Sequence, residues 1–217
     1  MTFLLQQTLI YSVPLILVAL AGVYSERSGI INLALEGIMI IGAFSGAWFV
    51  RTMQVNGWNE EYAQGLLLLT LLITAAAGAV FSLLLSFSAV TMKADQTIGG
   101  IALNLLAPAV VLFLINLIFH QSTLTLEYDA PSWFMLFKTD LGFGRKQDIG
   151  LLGSVLLDKF YLTTYIGIAV YIILSVILYK TSFGLRLRSC GEHPQAADSV
   201  GINVYRMRYI GTTIGGA

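Results

Sequence analysis

Long apolar runs separated by short polar stretches dominate this chain. The complete runs lie at about residues 3–23, 33–50, 65–90, 98–119 and 160–179. A further run begins near residue 207. A helix needs about 20 apolar residues to cross a bilayer core of about 30 Å, where it must satisfy its own backbone hydrogen bonds. The pattern therefore predicts an all-α, polytopic membrane helical bundle with about five complete spans and the start of a sixth.

Composition supports a single transmembrane domain over residues 1–217. Hydrophobic residues make up 57% of the chain and charged residues 11%, whereas soluble domains carry about 25% charged residues. The last run stops at Ala217, and a helix that ends in mid-membrane leaves carbonyl groups unpaired. We therefore expect the sequence to be truncated at its C-terminus and to belong to a longer chain.

The two long connections between spans differ in charge. The connection 120–159 carries five acidic and four basic residues, whereas 180–206 carries four basic and two acidic residues. Because cytoplasmic loops are enriched in Lys and Arg, this difference predicts that 180–206 lies in the cytoplasm. Simple alternation of the spans then places the N-terminus outside the cell.

The chemistry-bearing residues give no sign of an enzyme, a cofactor or a metal site. The chain has no phosphate-binding loop, zinc-protease motif or nucleophile elbow. Cys190 is the only cysteine and is interpreted as a small residue in a loop. Twelve basic and twelve acidic residues balance without a block of like charge, so nothing indicates nucleic-acid binding.

Two features predict an irregular, tightly packed bundle. The polar break YSERSGIIN at 24–32 follows the first run, and non-helical backbone at membrane depth requires surrounding protein or a water-filled cavity. Small residues recur at 42–46 and 75–79, and such residues let helix backbones approach closely in lipid.

Several polar and aromatic side chains are candidates for a solute path. Gln96, Gly100, Asn104 and Pro108 follow one another at i+4 in the fourth run, with Asn116 near the same face. This stripe could border a path for a polar, uncharged solute, or its amides could form hydrogen bonds between helices.

Three residues of the second run are further candidates. Glu36 is either an ion-coupling group or a carboxylate stabilised by the helix dipole. Phe44 and Trp48 could stack on a base, or they could face lipid.

The polar stretch GEHPQAADSVGIN at 191–203 predicts a short helix at the cytoplasmic surface. Pro194 suits the first helical position, and Gly201 suits a left-handed C-terminal cap, so roughly seven residues are expected to be helical. A helix this short needs something to pack against. It could be a docking knob for a soluble partner or a packed turn.

At this point three stretches resemble a known family. They are ERSGIINLALEGIMIIGAFSGAW (26–48), ADQTIGGIALNLLA (94–107) and TSFGLRLRSCGEHPQAADSVGINVYRMRYIGTTIGGA (181–217). All three are similar to permease subunits of ABC importers for simple sugars, nucleosides and branched-chain amino acids, and most similar to the nucleoside branch.

The resemblance implies a helical permease in the cell membrane. Its expected partners are a second permease subunit, cytoplasmic ATP-binding subunits that hydrolyse ATP, and an extracellular solute-binding protein. Region 181–206 would be the cytoplasmic coupling loop. Carried over by position, the residues implied in coupling to the ATPase are Gly191, Glu192, Pro194, Ala196, Ala197, Gly201 and Ile202.

Nucleosides are the first expected solute, and simple sugars such as ribose are the alternative. A rival of another class is an ion-coupled secondary transporter, which would depend on Glu36 and on a proton or sodium gradient. A third possibility is a scaffold that binds partners without moving solute.

Overall fold

The fold was derived from a computed structural model, which describes residues 2–57, 63–121, 123–124, 126, 134–137 and 159–217. In chain order the elements are α1 (Thr2–Arg27), α2 (Leu35–Val55), α3 (Ala63–Ser86), α4 (Gln96–Phe119), β1 (Met135–Phe137), β2 (Lys159–Tyr161), α5 (Leu162–Lys180), α6 (Ser182–Glu192), α7 (Pro194–Ser199) and α8 (Val204–Gly216). A π-helical turn, Phe87–Thr91, extends α3.

The predicted all-α membrane bundle is confirmed. Within the described residues, five helices are long and apolar enough to cross a membrane: α1, α2, α3 with its π-helical turn, α4 and α5. The predicted polar break separates α1 from α2 as a non-helical stretch, residues 28–34, which we call the break segment. Most of the charged connection 120–159 lies outside the described residues.

Two features differ from the expected elements. Residues 159–161 are extended because they pair antiparallel with β1, with Leu136 opposite Phe160, so the fifth span begins at Leu162 instead of 160. Region 181–206 contains two helices, α6 and α7, where one was predicted. The hydroxyl of Thr181 accepts a hydrogen bond from the Gly184 N–H at 3.3 Å and caps α6.

Three connections lie at one end of the bundle, which we call the basic end. Arg27, at the end of α1, forms an ion pair with Glu192 of α6 at 3.5 Å. In the connection that follows α1, the Ile31 N–H donates a hydrogen bond to the Gln96 side chain at the start of α4. Thr91 and Tyr209 share a hydroxyl hydrogen bond of 2.6 Å that joins the α3–α4 turn to α8.

Helix α8 packs between α1 and α3 through small residues. A Cβ atom placed on Gly211 would lie 2.5 Å from the Ser28 Cβ, and one on Gly215 would lie 2.7 Å from the Ala21 carbonyl oxygen. The Ser86 and Thr212 hydroxyls, both buried, form a hydrogen bond across the α3–α8 contact. Backbones can approach this closely only where side chains are small.

The predicted close approach at 42–46 is confirmed at one of its glycines. A Cβ atom on Gly46 of α2 would lie 2.6 Å from the Thr74 Cγ2 of α3. In the second small-residue stretch, Gly78 packs against the Gly216 backbone of α8. Both stretches therefore bring neighbouring helices into contact with α3.

Candidate functional site

The end of α7 has the capping geometry that the sequence predicts. Pro194 is the first residue of the helix, and Gly201 follows it with φ of +84°. The Ile202 N–H donates to the Ala197 carbonyl at 3.1 Å, and the Gly201 N–H donates to the Asp198 carbonyl at 2.9 Å. This pair of bonds is a Schellman motif, in which a left-handed residue satisfies the last carbonyls of a helix.

Helix α7 has one buried face and one exposed face. Ala197 is 3% exposed and packs in a cluster with Leu187 of α6 and Met207 of α8. Ile202 packs against the same cluster. Ala196 is exposed, and the Val200 side chain is 74% exposed. The apolar residues of this helix are therefore divided between a buried anchor and an outward surface.

The start of the predicted coupling region contacts the end of α1. Gly191 is so close to the Arg27 carbonyl that a Cβ atom on it would lie 2.5 Å from that oxygen. The Arg27–Glu192 ion pair beside this contact is largely exposed to solvent. Such pairs contribute at most about 1 kcal/mol, so backbone packing is the main attachment here.

Cys190 lies in α6 and not in a loop, which corrects the interpretation from sequence. Its side chain is fully buried in the cluster that joins α1, α5, α6 and α8. Burial raises the pKa of the Cys190 thiol, although the nearby Arg208 guanidinium acts in the opposite direction. The thiol therefore stays neutral and is a core side chain.

The polar stripe of α4 binds the break segment. Gln96 Oε1 accepts a hydrogen bond from the Ile31 N–H at 2.8 Å. Asn104 Oδ1 accepts from the Gly37 N–H at 2.7 Å, and Asn104 Nδ2 donates to the Leu33 carbonyl at 2.6 Å. These bonds favour the hydrogen-bonding alternative for Gln96 and Asn104. The structure does not bring Asn116 to this contact; its side chain is exposed near the other end of α4.

The α2 candidates lie in different environments. Glu36 is exposed in the first turn of α2, where a carboxylate is favoured by the helix dipole. Phe44 is buried against Val111 and Ile115 of α4. Its ring centroid lies 5.8 Å from that of Trp48, which is 40% exposed. Phe44 is therefore a packing residue in this state, and Trp48 is accessible.

Sequence reasoning missed the contacts made by the break segment itself. Its backbone groups bond to α4, and its Ser28 and Asn32 side chains are buried. A usable signal existed, because Gln96 and Asn104 are two helical turns apart and amides can donate and accept at once. The backbone groups that these amides bind could not be identified from the sequence.

Comparison with known proteins gives consistent matches along the chain. Residues 4–217 match the family described as branched-chain amino acid transport system / permease component. The chain is 44% identical over 217 residues to the guanosine ABC transporter permease protein NupQ of Bacillus subtilis, covering 100% of this chain and 64% of that protein. It is 39% identical over 209 residues to the nucleoside ABC transporter permease protein NupC of Lactococcus lactis, covering 96% of this chain and 62% of that protein.

A more distant relative is named for a different solute. The chain is 26% identical over 222 residues to the putative glucose ABC transporter permease protein TsgC13 of Haloferax volcanii, covering 98% of this chain and 59% of that protein. No solved structure matches the chain. The chain thus spans less than two thirds of the length of each of these three relatives. With five membrane-spanning helices and a family match over nearly its whole length, this multi-pass protein of the cell membrane belongs to the branched-chain amino acid transport system permease family.

Proposed function

We propose that this chain is a membrane permease subunit of an ATP-driven ABC importer and that its solute is a nucleoside. The observation that carries the proposal is the 44% identity over all 217 residues to a permease named for guanosine. The nucleoside permease of Lactococcus lactis supports the same solute class. ATP hydrolysis would take place on a separate ATP-binding subunit.

Region 181–206 is proposed to receive that ATP-binding subunit. Helix α7 has only six residues and would not be stable alone in water. Its Schellman cap and the buried Ala197 fix it on α6 and α8, while Ala196 and Val200 face outward. Held in this way, α7 can transmit force only if the ATPase binds it differently in its two nucleotide states.

The proposed solute path would use side chains that are not already engaged in packing. Among the candidates, Glu36, Trp48 and Asn116 are exposed within this chain. Phe44 is buried, and Gln96 and Asn104 bind the break segment. In this state, Phe44, Gln96 and Asn104 would shape the path by fixing α4 against α2 and the break segment instead of touching the solute.

The remaining proposed partners are a second permease subunit and an extracellular solute-binding protein. Large apolar side chains on α4 are exposed, including Leu105 at 71% and Phe113 at 63%. Such a surface requires lipid or another membrane helix around it. These partners are the ones that ABC importers of this group are expected to use.

Uptake of radiolabelled nucleosides and sugars by cells with and without the complete gene tests the function and the solute together. The assay is repeated after the ion gradients are collapsed while ATP is maintained. We expect gene-dependent nucleoside uptake that survives the collapse. Uptake that is lost on collapse would instead support an ion-coupled carrier and direct attention to Glu36.

Simple sugars are the second candidate solute. The 26% identity to a putative glucose permease of Haloferax volcanii favours this class over unrelated solutes. The same mechanism would apply, because the coupling region and the bundle do not depend on the solute class. Gene-dependent uptake of ribose without uptake of nucleosides would replace the first candidate with this one.

A further inference from the structure

The break segment, residues 28–34, touches the coupling region on one side and α4 on the other. Gly29 has φ of +88°, and a Cβ atom on it would lie 3.2 Å from the Gly191 Cα. A Cβ atom on Gly191 would in turn lie 2.5 Å from the Arg27 carbonyl oxygen and 3.1 Å from the Gly29 nitrogen, so the two backbones meet with no side chain between them. Movement of α6 and α7 toward α1 would therefore reach the break segment directly.

On its other side the break segment is attached to α4 by two hydrogen bonds, made by the Ile31 N–H and the Leu33 carbonyl. A third bond joins the Gly37 N–H, in the first turn of α2, to α4. On α4 all three bonds end on the amides of Gln96 and Asn104. Backbone groups outside regular structure need partners of this kind when they are shielded from water, so the segment cannot easily move without α4.

One internal hydrogen bond and two bonds to the end of α1 order the break segment. Asn32 Oδ1 accepts from the Ala34 N–H at 3.0 Å, and Asn32 Nδ2 donates to the Ser25 hydroxyl at 3.3 Å. The Ser28 hydroxyl donates to the Ser25 carbonyl at 2.6 Å. Ser25, Ser28 and Asn32 are all buried. A segment ordered by bonds among buried polar side chains transmits a displacement, whereas a loose loop would absorb it.

One group at this junction is unsatisfied in the present state. Arg208 of α8 lies against Gly29, with its Nε atom 3.4 Å from the position of a Cβ on that glycine. This Nε is buried and has no hydrogen-bond partner in the described part of the chain. A buried charged donor without a partner is costly, and a shift of the break segment could supply one of its carbonyls.

We propose that the break segment is the transmission element between the coupling region and α4, with the Gly29–Gly191 contact as its input and Gln96 and Asn104 as its output. The proposal rests on the proposed function, because the displacement originates in an ATP-binding subunit. Gln96 and Asn104 are then positioning residues that make α4 follow the segment. Coupling of this kind requires a contiguous set of contacts with two arrangements, and the contacts of one arrangement are those described above.

Two cysteine probes test the proposal in the full-length permease assembled with its ATP-binding subunits. Both are introduced in a Cys190→Ala background: Ile31→Cys in the break segment and Ile98→Cys on α4, whose native side chains are 51% and 70% exposed. The rate of labelling by a maleimide is measured with ADP and with a non-hydrolysable ATP analogue. We expect both rates to differ between the nucleotides by about threefold or more.

The decisive variant is Gln96→Leu combined with Asn104→Leu, which removes the output bonds while keeping similar volumes. We expect it to preserve the nucleotide response of Ile31→Cys and to abolish that of Ile98→Cys. A merely structural role for the two amides would change both probes together or neither.

Input is tested with Gly191→Ala, which should diminish both responses. Gly65→Ala is the matched control, because no atom of the described part of the chain lies within 4 Å of a Cβ there. If Ile98→Cys still responds after the output bonds are removed, the proposal is overturned. It is also overturned if neither probe responds in a complex that transports solute. If the ATP-binding subunits do not assemble with the permease at all, the proposed function fails as well.

Discussion

At the residue scale, two glycines share a backbone conformation but differ in location. Gly201 follows α7 with φ of +84°, and Gly57 follows α2 with φ of +85°. Among the described residues, neither has a heavy atom within 4 Å of the position that a Cβ would occupy. A side chain at either position would therefore meet no steric obstacle, and only the left-handed backbone would resist it. This strain costs roughly 1–2 kcal/mol.

We predict that Gly201→Val uncouples ATP hydrolysis from transport while membrane insertion stays intact. The β-branched side chain disfavours the left-handed region and so loosens the Schellman cap that holds α7. The measurement is solute-stimulated ATP hydrolysis by the assembled importer, with Gly57→Val as the control of equal backbone strain. Normal stimulation in Gly201→Val would contradict a coupling role for this cap.

At the element scale, short and irregular elements are fixed by their neighbours. Helix α8 has glycines at the positions that meet α1 and α3, and the Ser86–Thr212 hydrogen bond lies within this contact. The Tyr24 hydroxyl donates to the Leu174 carbonyl at 2.6 Å and joins α1 to α5. Because lipid provides no hydrophobic drive between helices, close packing and such hydrogen bonds hold the bundle together.

We expect Gly211→Val to destabilise the bundle by about 1–3 kcal/mol, the usual cost of overpacking. The new side chain would collide with Ser28, whose Cβ lies 2.5 Å from the position of the added Cβ. Thermal unfolding of the detergent-solubilised protein, followed by size-exclusion chromatography, would measure the loss. Gly65→Val, at an open position of α3, should change the unfolding temperature much less, and equal effects would argue against this packing.

At the scale of the whole molecule, the contacts at the basic end determine which connections share a side of the membrane. The ion pair between Arg27 and Glu192 and the hydrogen bond between Thr91 and Tyr209 join connections distant in sequence. These contacts agree with an alternating course of α1 to α5. Since 180–206 carries the excess of Lys and Arg, the basic end is expected to face the cytoplasm.

We predict that Asn56→Cys reacts with a membrane-impermeant maleimide added to intact cells and that Ala94→Cys reacts only after the membrane is opened. Both positions are exposed in connections between spans, at opposite ends of the bundle. Cys190→Ala provides the background, and denatured protein gives the maximum labelling of each variant. Labelling of Ala94→Cys from outside would reverse the orientation.

The sequence by itself determined the spans, the membrane class and the cap of α7. These features depend on local chemistry: a run of about 20 apolar residues has one stable arrangement in lipid, and Pro194 and Gly201 favour particular backbone angles. The spacing of Gln96 and Asn104 also showed that two amides share a face of α4.

Only the tertiary structure decided what those amides bind and how Cys190 is buried. The sequence left open whether Gln96 and Asn104 border a path or bond another helix, because both roles use the same amide groups. The answer depended on backbone groups of the break segment and of the first turn of α2, which lie more than 60 residues away in the chain. Helix α6 was missed for the same reason, since its buried face exists only where α1, α5 and α8 converge.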